Sequence, residues 1–200
     1  MTNPRRPYFN ELAAAWDNLP GPAAATGKIG DFVRRSRTDG ASRILDVGCG
    51  TGILLPDLRD VYADAICLVE FDLAEQMLKV NAAKHSGDAI NHICADAQFL
   101  PFTDSCFDLV LCFGVFPHLD DKASAIVQMF QVLRPRGVLC IGHLMGSREL
   151  NTFHSTLPGP VSKDVLPSTE ELVAMLHNEG IRQITAEEQS DWYFVRAVKP

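Results

Sequence analysis

Residues 44–52 read Ile-Leu-Asp-Val-Gly-Cys-Gly-Thr-Gly, a short apolar run that breaks into three alternate glycines. Such a run suits a buried strand. Gly-x-Gly-x-Gly then lets the chain turn sharply, because glycine accepts positive φ and brings backbone close to a ligand with no Cβ in the way. A helix starting near Gly52 would aim its free N–H groups and positive dipole end into the same crevice. A small-molecule site is therefore expected at the carboxyl end of this strand.

The spacing narrows the ligand. A dinucleotide fingerprint, G-x-G-x-x-G, needs glycine where this chain has Ile53, so NAD is disfavoured. No Gly-Lys-Ser/Thr follows the loop, which disfavours a nucleoside-triphosphate P-loop. From Arg43 onward short apolar runs alternate with helical segments, the signature of a parallel sheet covered by helices. Strands are expected over 65–71, 91–95, 107–113 and 138–144, and a C-terminal antiparallel hairpin over 181–189 and 192–198. Asp72-Leu73-Ala74-Glu75 reads as a capping box, Asp120 or Asp121 caps the helix carrying Ile126, Phe130 and Leu133, and Arg134 to Gly137 end it. Ser168 to Glu171 cap the last helix, which Gly180 ends.

Carboxylates stand where a nucleoside would need them. An acidic residue about 20 positions past the glycine loop, at the end of the second strand, accepts hydrogen bonds from ribose hydroxyls. Asp72 meets that spacing. Glu70 shares its face of the sheet and is assigned a supporting place behind it. Asp96 ends the third strand, where a carboxylate can take the adenine amino hydrogen while the N–H of Ala97 reaches a ring nitrogen.

Composition limits the classes open to the chain. It has 200 residues, with 18 Lys plus Arg against 25 Asp plus Glu, and a net charge of −7, which argues against nucleic acid as partner. No apolar run approaches the ~20 residues of a membrane helix, so no membrane insertion and a cytoplasmic protein are expected. Six cysteines occur singly without a C-x-x-C pair, and are read as reduced and buried. With no H-x-x-H or H-E-x-x-H spacing, no metal site is expected.

Several segments resemble the class I S-adenosylmethionine (SAM)-dependent methyltransferases. Asp-Val-Gly-Cys-Gly-Thr-Gly at 46–52 resembles the family's motif I, and Asp72-Leu73 with Met77-Leu78 resembles D-x-S-x-x-M-L, with Ala74 replacing the hydroxyl residue. Cys94-Ala95-Asp96-Ala97-x-x-Leu100-Pro101-Phe102 resembles G/A-D-A-x-x-L-P-F. Val132 to Gly137 resembles V-L-K-P-G-G, with Arg136 for the first Gly. Tyr8-Phe9 and Trp16-Asp17 resemble an aromatic N-terminal lid. Residues 8–200 are covered, and the match is closest to the branch that holds the ubiquinone and menaquinone C-methyltransferases.

The resemblance implies an α/β fold: a Rossmann-like, seven-stranded, mostly parallel sheet with a C-terminal antiparallel hairpin, helices on both faces and a helical N-terminal lid. It implies one domain, divided into a lid (1–40), a cofactor-binding core (41–145), a substrate-side insertion (146–167) and a closing helix and hairpin (168–200). The cofactor would be SAM, leaving S-adenosylhomocysteine. Asp46, Gly48, Cys49, Gly50 and Gly52 would hold its methionine part, Asp72 and Leu73 the ribose, Asp96 and Ala97 the adenine, and the backbone of Phe113 and Gly114 its amino acid end. Tyr8, Trp16, Phe116 and Pro117 would face an apolar or aromatic small-molecule acceptor.

Methyl transfer is an in-line displacement and needs little beyond positioning unless the acceptor must lose a proton. His118, His143 and His154 lie at or after the carboxyl ends of strands four and five, where a neutral imidazole can act as base; each has the alternative of a structural, hydrogen-bonded role. His143 and His154 are the preferred pair, with Arg148 as an anion clamp. The rivals are a non-catalytic SAM- or adenosine-binding module and another group transfer on this scaffold, such as aminopropyl transfer. A monomer or weak homodimer is expected.

Overall fold

The computed structural model describes residues 3–19, 26–63, 65, 67–86 and 90–200. Seven strands form one sheet: β1 (Arg43–Val47), β2 (Cys67–Asp72), β3 (Ile90–Cys94), β4 (Phe107–Phe113), β5 (Leu133–His143), β6 (Gln183–Gln189) and β7 (Trp192–Val198). They lie in the order β3-β2-β1-β4-β5-β7-β6. The first five are parallel, and β7 runs antiparallel between β5 and β6. This is the architecture the resemblance implies, hairpin included.

Strand alternation divides the core in two. Leu45, Val47, Val69, Phe71 and Val110 face one way, onto Ile126 and Met129 of α5 (Lys122–Val132) and Leu172 and Leu176 of α7 (Thr169–Asn178). Ile44, Leu109 and Leu111 face the other way, onto Phe32 and Val33 of α2 (Thr26–Arg35) and Leu58 of α3 (Leu55–Val61). Both faces being covered explains why β4 reads as an unbroken apolar run.

Several boundaries depart from the sequence reading. The helix after the glycine loop starts at Leu55 rather than Gly52, with Pro56 in its first turn, where a missing N–H costs nothing. No capping box forms at Asp72: α4 (Glu75–Lys84) begins after Ala74 with no side-chain cap. Asp121 caps α5 by accepting from the Ser124 N–H at 2.9 Å, a contact worth about 1 kcal/mol, and Ser168 and Glu171 form the expected capping box on α7. The Arg134 to Gly137 segment belongs to β5, which rejoins β4 after a register shift between Phe107 and Leu109. The sequence also predicts a second helix over about 23–35; α2 is described from Thr26, and residues 23–25 lie outside the described residues. Cysteine burial is uneven: Cys49, Cys112 and Cys140 are buried, whereas Cys94 is exposed, because β3 is the edge strand. No described helix is long and apolar enough to cross a membrane.

The N-terminal segment folds back over the carboxyl ends of the strands. Helix α1 (Arg5–Leu12) is followed by a single tight turn at Trp16–Asn18. Phe9, Ala13 and Trp16 pack on Ala74 and Met77, and the Asn10 side chain accepts the Gln76 N–H of α4 at 2.9 Å. Between β5 and α7, helix α6 (Ser147–Thr156) and a short turn at Pro160–Lys163 stand beside it.

Candidate functional site

The glycine loop is built from residues that no side chain could replace. Gly48, Gly50 and Gly52 take φ of 74°, 54° and 84°. A Cβ on Gly48 would come within 2.5 Å of the Val115 side chain, and one on Gly52 within 2.9 Å of Asn81. The expected fan of free N–H groups is not formed. Gly48 and Cys49 both donate to the Phe71 carbonyl (2.7 and 3.1 Å), Gly50 donates to Asp72 and Gly52 to the Cys49 carbonyl. With these four donors engaged and its helix beginning three residues later, the loop offers close approach.

Carboxylates lie beside and beneath it. Asp72 accepts the Gly50 N–H on one oxygen (2.9 Å) and the Ala74 N–H on the other (2.7 Å), which leaves each oxygen a further lone pair. Burial pushes its carboxyl up, and these N–H groups oppose that. Glu70 is fully buried and accepts from the Asn81 amide at 2.7 Å, while the Asn81 carbonyl oxygen lies 3.1 Å from His92 Nε2. Asp46, the register neighbour of Glu70, is 1% exposed, and its Oδ2 has no partner. Burial, then the Glu70 and Asp72 charges, push the Asp46 carboxyl well up. An acid oxygen left unpaired beneath the loop favours a ligand that carries positive charge over a phosphate.

Asp72 and Asp96 line one cleft, floored by Gly48, Phe71 and Ala97 and roofed by Asn3, Arg5 and Phe9 of the N-terminal segment. Leu73 also lines it. Asp96 accepts the Gln98 N–H at 3.0 Å and the Asn3 amide at 3.2 Å. The roof is pinned by Asp17, which accepts from Thr51 of the loop (2.6 Å) and from Lys84 of α4 (2.8 Å). Trp16 lies by the loop, its Nε1 4.0 Å from where a Gly50 Cβ would stand. Tyr8 points elsewhere, onto Gly159 of the insertion. Phe9, the next residue, lines the cleft instead.

Around the acceptor end the structure rearranges the expected set. Phe116 and Pro117 are buried, Phe116 in the main core, because the turn at Phe116–His118 rotates them inward. Arg148 is exposed on α6, and the cation lining the cleft is Arg5. Phe113 packs on Phe32, with ring centroids 4.7 Å apart, and Gly114 donates to the Gly142 carbonyl, so neither side of that turn lines the cleft. The Cys49 side chain is buried toward Asn81.

The three histidines do not act alike. His143 Nδ1 accepts the Met145 N–H at 3.0 Å, which leaves Nε2 carrying the proton. Burial, then His118 and His154, push its pKa down to about 4. It is a neutral donor, which removes it from the preferred base pair. His118 and His154 stand together, ring centroids 5.2 Å apart, and both meet Asp164. His118 Nδ1 lies 2.6 Å from the Asp164 carboxylate, and His154 Nδ1 lies 3.0 Å from the Asp164 carbonyl oxygen. Arg5 grips the same carboxylate, with Nε at 3.0 and 2.9 Å from its two oxygens, and reaches Asp120 at 2.6 Å. Burial alone would raise the Asp164 carboxyl; the His118 and Arg5 hydrogen bonds outweigh it and hold it down to about 2. Of the three, only His118 lines the cleft. Asp164 and Arg5 escaped the sequence reading because 159 residues separate them and neither lies in a motif.

A parallel sheet with an antiparallel closing hairpin, a glycine-rich turn after β1 and acidic residues ending β2 and after β3 define an α/β fold suited to a nucleoside-bearing ligand. The family described as Methyltransferase domain matches residues 45–141. The O-methyltransferase rstn1 of Aspergillus nomiae is 32% identical over 170 residues, covering 80% of this chain and 71% of that protein. The ubiquinone/menaquinone biosynthesis C-methyltransferase UbiE of Vibrio parahaemolyticus is 33% identical over 175 residues, covering 83% of this chain and 66% of that protein. A Haloferax volcanii methyltransferase solved with the Trm112 methyltransferase activator shares the fold, with a TM-score of 0.80 at 16% identity, covering 96% of this chain and 97% of that one. The chain belongs to the class I SAM-dependent methyltransferase family.

The residues present fit SAM. The cleft supplies acceptors for ribose and adenine donors and a turn that admits close approach; the unpaired oxygen of Asp46 lies buried beneath the loop.

Proposed function

We propose that this chain methylates a small-molecule acceptor held between the glycine loop and the N-terminal roof. The observation that carries the assignment is the pair Asp72 and Asp96 on one cleft whose floor carries no side chain at Gly48. Asp72 and Leu73 hold the ribose, Asp96 and Ala97 the adenine, and Gly48 and Gly50 the methionine part, with Asp46 beneath. Bound there, SAM supplies an electrophilic methyl group whose departure returns the C–S pair to sulfur.

Residues 3–19 form a lid, α2 belongs with the core that continues through 41–145, because Phe32 and Val33 pack on one face of the sheet, and 146–167 form an insertion that faces the acceptor. The Phe9, Val115 and Leu119 lining favours an acceptor with an apolar face. The relatives named for O- and C-methylation support methyl transfer to oxygen or carbon. The net charge of −7 supports a partner other than nucleic acid.

Calorimetry with SAM, S-adenosylhomocysteine and NADH tests the reading. Micromolar binding of the first two and none of NADH is expected; absence of SAM binding would overturn it.

A further inference from the structure

We infer that Asp164 is a positioning residue that sets His118 as the base for an acceptor bearing an acidic hydroxyl, and that Arg5 ties this pair to the lid. The inference rests on the cofactor assignment above.

The Asp164 side chain is fully buried, and one of its oxygens lies 2.6 Å from His118 Nδ1. A carboxylate only accepts, so Nδ1 must carry the proton and Nε2 keeps its lone pair. No described residue bonds to Nε2. His118 lines the same cleft as Asp72 and Asp96, which sets its ring beside the cofactor's cavity. His143 holds the opposite tautomer and His154 spends its Nδ1 on a carbonyl; neither presents a base to the cleft.

The proton balance identifies the acceptor class. An amine attacks with its own lone pair and sheds a proton afterwards, whereas a hydroxyl is a poor nucleophile until its proton leaves. When the acceptor oxygen forms its bond to the methyl carbon, its proton passes to His118 Nε2. The resulting imidazolium faces Asp164, whose charge offsets it, and water later takes the proton. The charged and titratable groups facing His118 are Asp164, Arg5 and His154, with His143 near it. Burial lowers the His118 pKa and Asp164 opposes that, which suits a weak base to an acidic O–H, phenolic or enolic. Phe9, its ring centroid 5.1 Å from that of His118, suits a flat acceptor.

Arg5 adds a dependence on closure. It is the N-terminal segment's link to Asp164, so the pair is complete only with the lid down. Opening the lid leaves the buried Asp164 charge with His118 as its remaining side-chain partner.

Imidazole proton–nitrogen NMR of the full chain bound to S-adenosylhomocysteine decides the matter, with His118→Ala for assignment. In the wild type, His118 is expected as the Nδ1–H tautomer. In Asp164→Asn its pKa should fall by about one unit. Phenol, used as a probe, should shift the Nε2 resonance, and aniline should not. An Nε2–H tautomer in the wild type overturns the inference even if the variant fails to fold. So does an unchanged pKa in a folded variant, or a phenol response no larger than that of aniline. Loss of S-adenosylhomocysteine binding by the wild type would instead remove the cofactor assignment.

Discussion

Asp72 and Gly50 are joined across the carboxyl end of the sheet, the Gly50 N–H donating to Asp72 Oδ2 at 2.9 Å while the other oxygen takes the Ala74 N–H at 2.7 Å. One side chain thus ties the glycine loop to the entry of α4 and still presents acceptor capacity to the cleft.

This double duty makes Asp72→Asn the informative variant. Its amide oxygen can keep one N–H partner, while its NH₂ opposes the other donor and cannot accept from a ribose hydroxyl. SAM affinity should fall tenfold or more, about 1.4 kcal/mol, measured by calorimetry. Asp72→Ala should also lower stability, since it orphans two N–H groups at about 1–3 kcal/mol each. Unchanged SAM affinity in Asp72→Asn would remove Asp72 from the ribose site.

Gly48→Ala should be severe. Its φ of 74° disfavours a side chain by about 1–2 kcal/mol, and a Cβ 2.5 Å from the Val115 Cβ forces a shift worth about 1–3 kcal/mol more. The urea midpoint should drop, and SAM binding should weaken with it. A midpoint equal to wild type would mean the loop has another conformation.

Glu70 makes stability depend on pH. Burial pushes its carboxyl above the usual 4.5, with Asn81 opposing. A folded-state pKa raised above the unfolded one means that ionisation costs more in the folded chain, so Glu70 subtracts stability as pH rises above about 4.5. Glu70→Gln keeps an acceptor for Asn81 and removes the charge. The variant should match wild type near pH 4 and exceed it at pH 8 by about 1 kcal/mol or more. Equal urea midpoints at pH 8 would contradict this.

Arg136 holds φ of 67° in β5, where the related sequence pattern has glycine. Its side chain is exposed, so Arg136→Gly relieves the backbone without losing packing. The gain should be about 0.5–1 kcal/mol after glycine's entropy cost, read as a rise in melting temperature. SAM affinity should stay the same, because the turn lies at the opposite edge of the sheet from the cleft.

The sequence by itself determined the sheet, the glycine turn and the acidic residues ending β2 and following β3. Each of these is local: apolar runs set strands, glycine at positive φ sets the turn, and a strand end sets where Asp72 and Asp96 emerge. Helix starts were less legible, because Leu54 and Ala74 occupy the N-cap positions that side-chain caps would otherwise have marked.

What decided the rest was tertiary. Whether a histidine faces the cleft depends on which partner takes its ring nitrogen: the Met145 N–H for His143, the Asp164 carbonyl for His154, the Asp164 carboxylate for His118. Phe116 and Arg148 stood at the expected places in the chain, yet one turned into the core and the other out to solvent. Arg5 and Asp164 meet only because the N-terminal helix lies across the strand ends beside the insertion. Local periodicity sets which way a strand or helix faces, but a contact between segments 159 residues apart exists only once both have packed on the same sheet.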